Sequence, residues 1–186
     1  WGYLQAQLDP LQRLVPQAHA ELDAVPSDQA RAWREIYCGS IGIEFMHIRD
    51  PGVRGWVAAR MESPPPPVDR DRILDDTLRA EVFERFLHAR YVGTKRYSLE
   101  GSAALVPLLN HALDHAADHG TEIALIAMSH RGRLTVMLET VGVPAASLFA
   151  GFADFDPKSV LGGGDVKYHL GATGVYKTRR GKDTNQ

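Results

Sequence analysis

Cysteine is almost missing: the 186 residues hold one, Cys38. That excludes a disulfide framework and any metal site built from several cysteines, and it makes a reducing compartment the default expectation. An excess of charge of one sign is missing too. The 21 Lys and Arg face 23 Asp and Glu, for a net charge of −2, so no basic field gathers nucleic acid and none is expected as a partner. Long apolar runs are also absent. Ala103–Leu109 and Ile123–Met128 are seven and six residues long, far short of the ~20 a membrane-spanning helix needs, so no membrane partner is expected. No internal repeat is visible, and low complexity is confined to Pro64–Pro67.

The rest is ordinary for a soluble globular protein, with 44% hydrophobic and 24% charged residues. A chain of this length buries roughly 70% of its unfolded surface, enough for a core without metal or disulfide support. The ends stand out. The chain opens at Trp1 without an initiator Met, a basic n-region or a signal-type apolar segment, and closes on residues 181–186 directly after a basic patch. A chain cut at both ends is one explanation, and trimmed tails are another.

Two regions are expected, 1–67 and 68–186, joined by the four prolines, whose rings fix φ and remove donors. In the first, Ser27 or Asp28 can cap a helix carrying Ala30, Trp33, Ile36 and Tyr37. Ile41, Ile43 and Phe45 alternate as in a strand but glycines interrupt, which leaves residues 39–48 unassigned. Asp50-Pro51 starts another helix, with Trp56 and Val57 expected to face inward. In the second region Leu78, Val82, Phe83, Phe86 and Leu87 stripe a helix over about 71–90. A further helix runs over about 100–119. Leu105, Val106, Leu109, Ala112, Leu113 and Ala116 share its face, and Gly120 stands at its C-terminal cap. The continuous run Glu122–Met128 reads as a strand buried on both faces, with a polar turn, 129–133, and a helix, 134–141, after it. That succession predicts an α/β fold: a helical lead-in, then the first part of a parallel-sheet domain.

In such sheets ligands bind beyond the carboxyl ends of strands, where helix N-termini favour anions. His130, Arg131 and Arg133 would sit there and reinforce an anion site; the plainer reading has Arg131 and Arg133 solvating a surface turn and His130 packing against the strand end. The triplet Gly162–Gly164 lacks both the dinucleotide and the phosphate-loop endings, so it reads as a flexible loop leading to a strand, with Lys167 or His169 as the alternative functional residue there. His111, His115 and His119 recur at i+4 beside Asp114 and Asp118, a pattern that favours a solvated face over a metal site. Lys177, Arg179, Arg180 and Lys182 read as a wet hairpin tip, and Cys38 as a small buried hydrophobe.

Five stretches in a fixed order add a resemblance. Tyr37-Cys38-Gly39-Ser40-Ile41-Gly42-Ile43-Glu44-Phe45-Met46-His47-Ile48-Arg49-Asp50-Pro51, Phe86-Leu87-His88-Ala89-Arg90-Tyr91 and Lys95-Arg96-Tyr97-Ser98-Leu99-Glu100-Gly101 resemble the thiamine-diphosphate-dependent decarboxylating component of 2-oxoglutarate dehydrogenases. So do Met128-Ser129-His130-Arg131-Gly132-Arg133-Leu134 and Gly164-Asp165-Val166-Lys167-Tyr168-His169-Leu170-Gly171. The similarity runs over about residues 2–182.

The resemblance implies an oxidoreductase of the tricarboxylic acid cycle. Such an enzyme decarboxylates 2-oxoglutarate on thiamine diphosphate and passes the succinyl unit to a lipoyl-bearing dihydrolipoyl succinyltransferase. By motif, His130 and His169 line the substrate side as catalytic residues, and Arg131 reaches cofactor and substrate. Imidazole donors and an arginine fork suit carboxylates and a developing oxyanion. Ser129 stands where the family more often has alanine or glycine, and Thr135 where asparagine is usual.

The family's metal-binding segment and its activating glutamate are not in the sequence. Mg2+ ligands are therefore expected outside the chain, which alone is expected to be inactive. The resemblance also implies a homodimer for the longer protein, in a bacterial cytoplasm or, in a eukaryote, the mitochondrial matrix. A 2-oxoadipate dehydrogenase, a free-standing 2-oxoglutarate decarboxylase and a non-catalytic anion-binding module are the alternatives.

Overall fold

The computed structural model describes residues 2–23, 27–153 and 168–178. The chain divides into two compact units, Trp1–Pro67 and Val68–Gln186.

The first unit holds α1 (Gly2–Gln5), α2 (Ala20–Asp23), α3 (Asp28–Tyr37) and α4 (Pro51–Glu62). Ser27 caps α3, its hydroxyl accepting from the Ala30 amide, and Asp50 caps α4 by accepting from the Gly52 and Val53 amides, with Pro51 at the first helical position. Between the caps, Trp33, Tyr37 and Phe45 stack in series. The Tyr37 hydroxyl donates to Glu62 at 2.7 Å and joins α3 to α4. Residues 39–48 contain no regular element. Trp56 does not face inward: it is 68% exposed, because α4 has little to pack against within this unit and carries no buried residue.

The second unit holds α5 (Arg70–Arg90), α6 (Leu105–Asp118), α7 (Arg133–Val136), a π-helical turn (Met137–Val141) and α8 (Ala145–Ala153). Asp69 caps α5 through the Arg72 amide. Gly120, at φ +84, follows the end of α6. The core gathers Phe83 and Leu87 from α5, Leu134 and Met137, Leu148 and Phe152 from α8, and Tyr168. A smaller cluster joins Ala80, Leu99 and Val106.

The α/β expectation is overturned. Every regular element among the described residues is helical, and Glu122–Met128 pairs with no strand there. An apolar run states that a segment favours burial, but a sheet also needs neighbouring strands to take up its amides and carbonyls. Here the run has no regular structure and lies open, with Leu125 95% exposed. Beside residues 172–176 and α6 it borders a groove of about 620 Å3.

The stripe on α5 is corrected in part. Phe83 and Leu87 are buried, while Leu78, Val82 and Phe86 are exposed. Asp76 and Ala80 take the remaining inward positions, because α5 turns a polar edge toward α6. On α6 the inward residues are Val106, Pro107, Asn110 and Asp114 rather than a purely apolar face. Asp114 is therefore not part of a solvated face. It pairs with Arg72 and accepts from the Tyr176 hydroxyl at 3.1 Å, while Asn110 donates to Asp76 at 3.2 Å. Buried polar groups hold their place when partnered; Asp76 and Asp114 are, while Asn110 is partnered through its amide nitrogen and leaves its Oδ1 without a partner.

Candidate functional site

His130 lies in the turn just before α7, and the turn is fixed by its own backbone. The Gly132 amide donates to the Tyr97 carbonyl at 2.8 Å, and the Arg133 amide to the His130 carbonyl at 3.1 Å. Gly132 sits at φ +70, where a side chain is strained, and a Cβ there would overlap the Leu99 side chain. Glycine is thus required twice over at this position.

The arginines are spent on carbonyls. Arg131 Nη1 donates to the Ser98 carbonyl at 3.1 Å; Arg133 donates to Met128 at 3.0 Å and to Leu170 at 3.1 Å. This revises the anion-turn reading. A helix N-terminus attracts anions through free amides, but two amides of this turn are already bonded and α7 is only four residues long. Arg133 is a clamp that ties the 128 and 170 backbones together, which explains a cation at a helix start.

Imidazole is what the turn presents. The rings of His130 and His169 lie 4.9 Å apart at 88°. His169 is exposed and His130 half-buried. Tyr97 packs on His130 at 4.9 Å and meets Tyr168 edge-on at 4.8 Å. Tyr168, 1% exposed, donates its hydroxyl to the Lys95 carbonyl at 2.9 Å, so its neighbour His169 is carried on an anchored residue. Two nearly perpendicular imidazoles, one side toward solvent, can donate to two oxygens of one small acid or to one oxygen and exchange its proton.

The structure therefore brings His130 and His169 together and places Arg131 beside them, though tied to Ser98. It adds Tyr97 and Tyr168 as supports, residues quoted in the motifs without a role of their own. A signal for Tyr97 exists only in three dimensions: a φ of +44, rare for a non-glycine residue. His111, His115 and His119 are exposed, with the His115 and His119 rings 4.4 Å apart and tilted at 52°. Cys38 is half-buried and free.

Gly162–Gly164, Lys167, Arg179, Arg180 and Lys182 lie outside the described residues. Among the described residues no group of three or more His, Cys, Asp or Glu could hold a metal ion. With the Gly132 and Arg133 amides bonded as well, the described residues do not by themselves fit Mg2+ or a diphosphate.

No family model matches the chain. It is 42% identical over 147 residues to the "Multifunctional 2-oxoglutarate metabolism enzyme" of Mycolicibacterium vanbaalenii, covering 77% of this chain and 12% of that protein. It is 40% identical over 147 residues to the "2-oxoglutarate dehydrogenase E1 component" of Brucella canis and of Brucella suis, covering 75% of this chain and 15% of each. The chain thus spans 12–15% of the length of these curated relatives.

Proposed function

We propose, from the homology between this chain and a segment of 2-oxoglutarate dehydrogenase E1 components, that it supplies the substrate-side histidines of an oxidoreductase acting on 2-oxoglutarate. The observation that supports this most is the pair of crossed rings, His130 and His169, 4.9 Å apart on a supported turn.

Their work is recognition and proton management. One imidazole donates to a carboxylate oxygen of the 2-oxo acid, and the other to the keto oxygen as charge develops there. Fixed donors aimed at developing charge lower a barrier more than mobile water does. Arg131, anchored at one edge, adds a positive charge beside them. Thiamine diphosphate, the cofactor that the family implies, would supply the electron sink for decarboxylation, and groups outside the described residues would hold it with Mg2+. The succinyl product is passed to a lipoyl-bearing partner, and the longer protein works as a homodimer in a reducing compartment.

The test uses the longer protein that contains this chain. His169→Ala lowers 2-oxoglutarate-dependent dye reduction by about a hundredfold or more, the scale of losing a positioned acid–base group. Near-unchanged turnover contradicts the reading. Equal or better turnover of 2-oxoadipate moves the substrate to the longer acid while leaving the histidines in place.

A further inference from the structure

Glu84 belongs to none of the stretches that carry the resemblance. It lies mid-way along α5, half-buried. Its Oε1 accepts from the Leu99 amide at 3.1 Å and also from the Thr135 hydroxyl. One oxygen thus joins three pieces of chain: α5, the 95–101 segment and α7.

These are the pieces that hold His130. Leu99, 2% exposed, fills the space beside Gly132 that a Cβ would need. Two residues earlier, Tyr97 keeps its left-handed φ of +44 and lays its ring on His130. Its carbonyl is tied to the Gly132 amide at 2.8 Å. A strained backbone persists only where its surroundings fix it on both sides. Gly132 fixes the carbonyl side of Tyr97, and Glu84, through Leu99, fixes the chain that follows.

A simple core role accounts poorly for a carboxylate here. Glu84 Oε2 is buried with no hydrogen-bond partner, a costly arrangement that an apolar residue avoids. The ionised group has a compensating property. It forms shorter and stronger bonds to N–H and O–H donors than a neutral acceptor does.

We propose that Glu84 is a positioning residue: by holding the Leu99 amide and the Thr135 hydroxyl on one oxygen, it fixes Tyr97 against His130 and sets the orientation of the imidazole. This rests on the reading of His130 as a substrate-side group. Glu84 touches no substrate. It acts through Leu99 and Tyr97 and governs turnover more than affinity.

The test compares Glu84→Met, similar in length but without a strong acceptor, with Glu84→Gln, which keeps an acceptor oxygen. Both are made in the longer protein and read by kcat and KM for 2-oxoglutarate, by thermal stability and by crystal structure. Glu84→Met lowers kcat about tenfold or more with KM changed less than about threefold, the scale of a displaced supporting contact. Its structure shows Tyr97 relaxed out of the left-handed region and its ring withdrawn from His130. Glu84→Gln recovers most of the turnover.

Unchanged kcat in Glu84→Met overturns the proposal, as does a Tyr97 ring still seated on His130. Equal losses in both variants that track lost thermal stability overturn it as well. His130→Ala separates the two ideas. If that variant keeps wild-type turnover, the site reading fails, while the Tyr97 geometry in Glu84→Met still reports on Glu84.

Discussion

Ile123, Leu125 and Ile126 are apolar and lie open to solvent, while Gly132, Leu134, Thr135 and Val136, a few residues later, are buried. The first stretch looks like core and is not; the second begins as a charged turn and ends inside. What separates them is partners. Residues 130–135 find theirs in the 95–101 segment and α5: the Tyr97 and Ser98 carbonyls, the Leu99 side chain and Glu84. Residues 121–127 border a groove with no paired strand among the described residues. Hydrophobicity states a preference for burial, and geometry decides whether it is met.

Substitutions in the two stretches therefore differ in effect, and the buried network sets the upper limit. Asp114→Ala leaves Arg72 unpaired and removes an acceptor from Tyr176, so urea unfolding reads a loss of about 3 kcal/mol. Gly132→Ala comes next, at about 2 kcal/mol, from strain at positive φ and overlap with Leu99. Tyr168→Phe removes the bond to the Lys95 carbonyl and costs about 1 kcal/mol by the same measurement. Leu125→Ser stays within about 0.5 kcal/mol despite removing a large apolar side chain. A loss of 2 kcal/mol at Leu125 breaks the comparison, because the open run then contributes to this unit's stability.

Tyr37 gives a smaller, pH-dependent effect. Burial, and then the bond to Glu62, push its hydroxyl up to about 12 from an ordinary value of 10.0. A raised value favours the neutral phenol in the folded state. Its stabilisation is therefore complete below about pH 10 and fades as pH rises toward 12. Tyr37→Phe flattens that alkaline loss in a pH series of thermal melts.

The helix starts follow from local chemistry, which is why they were legible. Ser27, Asp50 and Pro51 act on the residues just after them: Asp50 and Pro51 occupy the cap and first position expected of them, and of the two candidates Ser27 and Asp28 it is Ser27 that caps. The sheet was not legible, because pairing depends on distant strands that no local run reveals. Asp114 was misread for a related reason. Its neighbours His111, His115 and Asp118 are polar, but its partners Arg72 and Tyr176 come from elsewhere in the chain. At the site, His130 and His169 were found by motif, and spacing alone could not have joined residues 39 positions apart. Glu84 and the strained Tyr97 gave no sequence signal, since their roles exist only where α5, the 95–101 segment and α7 meet.

The central claim is that His130 and His169 act together on one 2-oxo acid. A double-mutant cycle in the longer protein tests it, with kcat/KM for 2-oxoglutarate as the reading. Each alanine substitution alone is expected to lower kcat/KM about a hundredfold or more, with the double variant no worse than the weaker single, as for groups that work as a unit. Near-unchanged kcat/KM in either single variant, or losses that simply multiply in the double, contradicts the account.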